Sequence, residues 1–468
     1  MEHTLMGNND TVEPIVNRRD FMKGGFAGAA ALSLGSLASS KAFAFTNDYG
    51  PLMPVADETT GLELLELPEG FTYKTFGWTG SRMSDGTVTP GAHDGMAVVA
   101  AKGNQIVLVR NHELRGRGVA VPSPAIYDPA APGGCSNLLF DAFSGKWLAS
   151  YMSISGTSTN CAGGLTPWGT WLTCEETLDE YNGVTHGWIF EVPGYGAANP
   201  VPLKDMGRFV HEAVAVDPVT GIVYETEDSG ASGFYRFIPN EYGNLPKGGR
   251  LEMLKVKGEH QFNFGGKSGA VPRHPGFMQG SQWEVEWVPV ENPHEVGCYG
   301  RGLALGGATF SRGEGCWYDS GRVYFVSTDG GTARKGQVFM YDPRRETLVL
   351  VQESDGTMND AVNPDNLAVS PRGGIILCED GSNAQQRLMG INTAGESFEF
   401  ARNVISLSAG DIAHIDSLFP GVARAIGPRN YAGSEWCGAT FYDRWLFVNI
   451  QTPGITFAIT GPWNQGIL

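Results

Sequence analysis

Asn160-Cys161-Ala162-Gly163-Gly164-Leu165-Thr166-Pro167-Trp168-Gly169-Thr170-Trp171-Leu172-Thr173-Cys174-Glu175-Glu176 is the stretch from which the fold can be read. A polar residue and a cysteine open a short strand, and Pro167 and Gly169 turn it. A second strand rich in Thr, Trp and Leu then ends on two acids. The same two beats recur at five other places with little identity between them. His93-Asp94 leads to Ile106–Glu113, His211-Glu212 to Ile222–Asp228, and Arg312 with Glu314 to Val323–Asp329. Asp365-Asn366 leads to Ile375–Asp380, and Glu435 to Leu446–Gln451. The interval between beats is always about ten residues. Turns are explicit in Asp217-Pro218-Val219-Thr220-Gly221, Ser370-Pro371-Arg372-Gly373-Gly374 and Tyr318-Asp319-Ser320-Gly321. A third strand follows several units, at Gly187–Pro193, Gly233–Pro239 and Gly336–Pro343.

Strand, turn, strand, loop, strand, six times over and without long amphipathic helices, predicts an all-β, six-bladed β-propeller. One such unit cannot bury both faces, so the units must close on one another. Composition agrees: 65 glycines and 27 prolines with no tripeptide period suit many short strands, and 41% apolar residues supply the core. Unit spacing varies from about 50 to about 100 residues, which places insertions at the rim. The largest is expected over about 251–302 in a single domain spanning 45–468. A second, near 410–429, is expected to hold a short helix around Ile412–Phe419.

Residues 1–44 read as a targeting segment. Arg18-Arg19, Phe21 and Lys23 precede a weakly apolar, glycine-containing run and Ala42-Phe43-Ala44, the pattern of a twin-arginine export signal cleaved near Ala44. The expected location is periplasmic or extracellular, the expected partner the twin-arginine machinery. A formal charge of −17 argues against nucleic acid or an anionic membrane surface. It also means that an anionic substrate needs bound cations or a local arginine. Seven cysteines without CxxC spacing leave at least one thiol outside any internal disulfide.

In a propeller the first strand of each unit lines the central channel. Asp94, Cys161, Glu212, Glu314, Asp365 and Glu435 are therefore expected to converge. The ends of the second strands (Asn111, Glu113, Glu175, Glu176, Glu227, Asp228, Glu379, Asp380) are candidates for further oxygens. An acid at a strand end is ordinarily a turn cap or a solvated rim residue. Its recurrence at one step of every unit points instead to a metal site, because uncompensated carboxylates so close repel. Oxygen donors suit Ca²⁺, and a thiolate adds affinity for iron or zinc. Arg312 is the one arginine at a first-beat position, and its planar fork suits a phosphate.

With these segments assembled, the chain resembles the PhoX family of alkaline phosphatases. The resemblance is carried by Arg18-Arg19 with Phe21, His93-Asp94-Gly95, Asn111-His112-Glu113, the block from Asn160 to Glu176, and Gly207-Arg208-Phe209-Val210-His211-Glu212. Glu227-Asp228, Arg312 with Glu314, Glu379-Asp380 and the ending from Phe447 to Trp463 complete it. It implies hydrolysis of phosphomonoesters by a mixed cluster of ferric iron and Ca²⁺. Cys161, Glu212 and Glu314 would ligate iron, Glu113, Glu176 and Asp365 would serve the iron–calcium cluster, and Arg312 would hold phosphate. Glu175, Glu227, Glu379 and Glu435 complete the candidate ligand set, with a metal-bound water or oxide as the expected nucleophile. Two other readings of the same axial acids are a Ca²⁺-dependent propeller lactonase or esterase, and a non-catalytic propeller braced by Ca²⁺. Neither requires Cys161 or Arg312.

Overall fold

A computed structural model describes residues 49–266 and 276–468. The export segment expected over 1–44 lies outside the described residues. Strand makes up 46% and helix 7%, as an all-β chain requires.

Six antiparallel meanders account for nearly all of the strands. The first runs His93–Lys102, Gln105–His112, Gly133–Asp141, Lys146–Thr157; the second Asn160–Leu165, Thr170–Glu175, Ile189–Pro193. The third is His211–Val216, Val223–Glu227, Phe234–Pro239, Gly249–Val256; the fourth Gly313–Asp319, Arg322–Ser327, Gln337–Asp342, Thr347–Glu353. The fifth comprises Pro364–Val369, Ile375–Glu379, Arg387–Ile391 and Ser397–Asn403, widened by Glu63–Pro68 and Leu52–Ala56. The sixth has Trp436–Tyr442, Trp445–Ile450 and Ile455–Thr460, and takes its outer strand, Thr72–Phe76, from the other end of the chain.

The first strands touch one another in cyclic order, the sixth meeting the first, so the meanders close into a propeller. Equivalence of the units shows in one hydrogen bond. The amide that follows each second strand donates to the carbonyl that precedes each first strand: Glu113 to Ala92, Glu176 to Thr159, Asp228 to Val210, Thr328 to Arg312, Asp380 to Asn363 and Gln451 to Glu435, all at 2.8–3.2 Å. Every first strand also carries a register shift just past its start, at His93/Met96, Asn160/Gly163, His211/Val214, Gly313/Cys316, Pro364/Leu367 and Cys437/Thr440. Such a bulge bends the strand and re-aims the side chain beside it.

Apolar residues do not gather at the centre. Among the described residues six separate clusters form, each between two neighbouring sheets, such as Phe234, Phe310, Phe325 and Phe339 between the third and fourth. The axis is thereby left to polar groups. Close approach of the inner strands demands small residues: a Cβ on Gly95 would lie 2.5 Å from the Ala162 Cα, and one on Gly315 2.7 Å from the Leu367 nitrogen.

Within 251–302, residues up to Val256 complete the third sheet. Gln282–Pro289 then bridges the third sheet to the fourth, and a helix follows at Cys298–Ala304. The short helix expected near 412 spans Ala409–Leu418 and is capped reciprocally by Ser408 and Asp411. Among the described residues no helix is long and apolar enough to cross a membrane.

Candidate metal centre

The bulge places the second residue of each of the first five inner strands at the axis: Asp94, Cys161, Glu212, Glu314 and Asp365. The residue just past the second strand joins it in the first, second and fifth units, as Glu113, Glu176 and Asp380. Their ligand atoms fall into four groups, each within 4.8 Å: Asp94, Glu113 and Cys161; Cys161, Glu176 and Glu212; Glu212, Glu314 and Asp365; Asp365, Asp380 and Glu435. Cys161, Glu212 and Asp365 each belong to two groups, so the four form one continuous arc drawn from all six sheets. Gln451 braces one end of it, donating to Asp94 Oδ2 at 3.2 Å and to Glu113 Oε2 at 2.7 Å.

Six of its nine residues are buried, and Glu176, Asp380 and Glu435 are half-buried. Burial, followed by neighbouring negative charge, raises the carboxyls of Asp94, Glu212, Glu314 and Glu435 well above the ordinary range. The same causes push Glu176 up to about 10, and burial pushes Asp365 up to about 6. The Cys161 thiol is raised by burial and by the charges of Asp94 and Glu212, and its Sγ lies 3.7 Å from Asp94 Oδ2.

Two guanidinium groups meet this negative arc. Arg312 contacts Asp228 Oδ1 through Nε at 3.0 Å and Glu314 Oε1 through Nη2 at 2.5 Å. Arg115 joins Glu113 to Glu176, reaching Glu176 Oε2 at 3.0 Å. They do not balance eight carboxyls. Glu212 Oε2 and Asp365 Oδ1, the atoms of two shared ligands, are buried without a hydrogen-bond partner. Orphaned oxygens beside other carboxylates and one thiol are a donor set that fits cations.

Three expected ligands are not in the arc. Glu175 accepts from the amides of Ser158, Gly187 and Trp188 and lies 2.7 Å from His186 Nδ1. Glu227 accepts from the Tyr235 hydroxyl at 2.6 Å and the Gly233 amide. Glu379 pairs with Arg387 at 2.6 Å and accepts from the Val362 amide. The reason is strand alternation: consecutive residues face opposite ways, so of Glu175-Glu176, Glu227-Asp228 and Glu379-Asp380 only the second member faces the arc. Glu435 reaches the arc from the step that Arg312 occupies in the fourth unit, as their equivalent carbonyl bonds show. The sixth-unit counterpart of Cys161 by register is Cys437, whose thiol donates to the His93 carbonyl at 2.9 Å. Arg115 follows a strand rather than opening one, and the repeat gave no hint of it.

The family model of alkaline phosphatase PhoX matches this chain over residues 47–150 and 141–454. The chain belongs to the PhoX family. Membership makes it a phosphatase, in agreement with the resemblance carried by the Asn160–Glu176 block. The propeller of Pseudomonas fluorescens PhoX, solved in complex with vanadate, a transition-state analogue, superposes with a TM-score of 0.61 at 17% identity, covering 89% of this chain and 98% of that one. A gluconolactonase from Xanthomonas campestris gives a TM-score of 0.39 at 12% identity, covering 88% and 98%. No curated protein matches.

Proposed function

We propose that this PhoX-family phosphatase hydrolyses phosphate monoesters at the axial arc, with ferric iron and Ca²⁺ held by its acids and its thiol. The observation that carries the reading is the fusion of four ligand groups through Cys161, Glu212 and Asp365. Cys161, Glu212 and Glu314 would hold iron, since a thiolate beside carboxylates favours a transition metal. Asp94, Glu113, Glu176, Asp365, Asp380 and Glu435 would supply hard oxygen donors for Ca²⁺. Bound there, such cations neutralise charge on phosphate oxygens and lower the pKa of a water.

The chain's own groups supply orientation. Arg312 remains cationic, its proton held more tightly by Glu314 and Asp228 despite burial. Its Nε and Nη2 are held by Asp228 and Glu314, which fixes the guanidinium plane and leaves Nη1 to donate to a phosphoryl oxygen. Phosphoryl transfer asks for positioning and electrostatic stabilisation more than for covalent chemistry.

Elemental analysis of protein matured by its own export route, with hydrolysis of a chromogenic phosphate monoester, tests the reading. The expected result is iron together with calcium, and turnover at neutral to alkaline pH that a calcium chelator removes. Cys161→Ser is expected to lose iron while the propeller stays folded. Calcium alone without phosphate release, or full activity in Cys161→Ser, would overturn it; the first outcome would favour a lactonase or a braced binding propeller.

We further propose export by the twin-arginine route, supported by Arg18-Arg19 and the Ala42-Phe43-Ala44 site. Replacing both arginines by lysine is expected to keep the protein inside the cell. Unchanged export would exclude that route.

A further inference from the structure

We propose that Arg115 is a second anion-binding arginine which, with Arg312, sets a preference for phosphate monoesters over diesters; this rests on the phosphate-ester reading above.

Arg115 stands at the solvent edge of the arc rather than inside it. Its side chain is 63% exposed, whereas those of Glu113 and Glu176, the carboxylates it joins, are 4% and 10% exposed. Both contacts run through Nη2, and its other guanidinium nitrogens make no hydrogen bond among the described residues. Donors therefore remain for a ligand arriving from solvent.

Its position relative to Arg312 gives those donors a use. Glu176 lies within 4.8 Å of Glu212, Glu212 within 4.8 Å of Glu314, and Glu314 pairs with Arg312 Nη2. The order Arg115, Glu176, Glu212, Glu314, Arg312 is thus continuous. Two guanidinium groups bracket the acids of the second, third and fourth sheets, and Arg312 is itself partly exposed. An anion entering there meets uncommitted guanidinium donors on either side, Nε and Nη1 of Arg115 and Nη1 of Arg312. The chain is otherwise strongly acidic, so these two cations carry most of the local attraction among its own groups.

Two guanidinium groups discriminate by oxygen count. A monoester dianion offers three terminal oxygens and two charges, enough for both arginines. A diester offers two non-bridging oxygens and one charge, and its second substituent takes the place of the third oxygen. Loss of one arginine should therefore cost the monoester more than the diester.

The test uses the full chain with Arg115→Ala and Arg115→Lys. Measurements are metal content, calorimetric binding of inorganic phosphate, kinetics on an aryl monoester, and inhibition by dimethyl phosphate. Arg115→Ala is expected to weaken phosphate binding and raise the monoester KM by roughly tenfold to a hundredfold, the range of a lost charge-assisted hydrogen bond. The smaller effects expected are less than about a threefold change in kcat or in dimethyl phosphate inhibition on the same scale. Metal content should not change, and lysine, which keeps charge but not the fork, should recover part of the loss. Unaltered phosphate binding in Arg115→Ala overturns the proposal, as does an equal loss for phosphate and dimethyl phosphate. Metal loss in that variant also overturns it, since Arg115 would then serve only to order Glu113 and Glu176. Wild-type protein that binds no phosphate would sink the parent reading as well, which separates the two failures.

Discussion

Glu212→Gln is expected to lower phosphatase turnover by a factor on the order of 10²–10³, the range seen when one preorganised electrostatic group is lost. Glu212 is 1% exposed, belongs to two of the four ligand groups, and holds an orphaned Oε2. Glutamine preserves its shape and removes its charge, so neighbouring groups on both sides lose a donor while the strand stays packed. Metal content should fall with activity. Glu379→Gln makes the control, because Glu379 is equally buried but pairs with Arg387 away from the arc. Breaking one partner of such a pair costs about 3–5 kcal/mol, so this variant should unfold earlier yet keep its metals. Glu212→Gln with full metal and more than a tenth of wild-type turnover, or Glu379→Gln stripped of metal, would show that the arc has been drawn through the wrong residues.

The second large effect concerns stability without cations. The arc's carboxyls hold their protons more tightly folded than unfolded: Asp365 rises from 3.8 to about 6, Glu176 from 4.5 to about 10, and Asp94, Glu212, Glu314 and Glu435 also rise. A raised folded-state pKa contributes stability that is complete below the unfolded pKa and lost as pH climbs through the folded one. Stability of the chelated protein should therefore decline between about pH 4 and about pH 10. Asp365 alone accounts for on the order of 3 kcal/mol across its window, at about 1.4 kcal/mol per pKa unit. Excess Ca²⁺ should reverse the decline, because it binds the folded, deprotonated arc and not the unfolded chain. Melting temperatures of chelated protein at pH 5 and pH 9, each with and without Ca²⁺, measure this. Equal melting of the chelated protein at the two pH values would mean that the arc's acids are not strained by one another.

These two effects depend on features that differ in how plainly the sequence displays them. The two-beat rhythm was legible because the beats sit on the first and second strands of each unit, where the turn between them is short and the register local. The outer strands were not: Thr72–Phe76 pairs with Ile455–Thr460 across almost the whole chain, and no local pattern announces a partner so remote. Convergence of Asp94, Cys161, Glu212, Glu314 and Asp365 was legible from recurrence. Doubled acids such as Glu175-Glu176 were not resolved, since alternation makes one member structural and the composition of the pair does not say which. Cys437 was hidden for a related reason, its register position in the sixth unit being overshadowed by the charge on Glu435.

The sixth sheet joins Thr72–Phe76 to strands that end at Thr460, and this fixes when the arc can exist. Until the last strands are available the chain is an open horseshoe, its first and sixth inner strands apart and Gln451 far from Asp94. The cation-binding surface is therefore complete only where strands from both ends of the chain have met, and no run of neighbouring sheets forms it alone. A chain cut short before residue 435 would keep five sheets and an arc without Glu435 and Gln451.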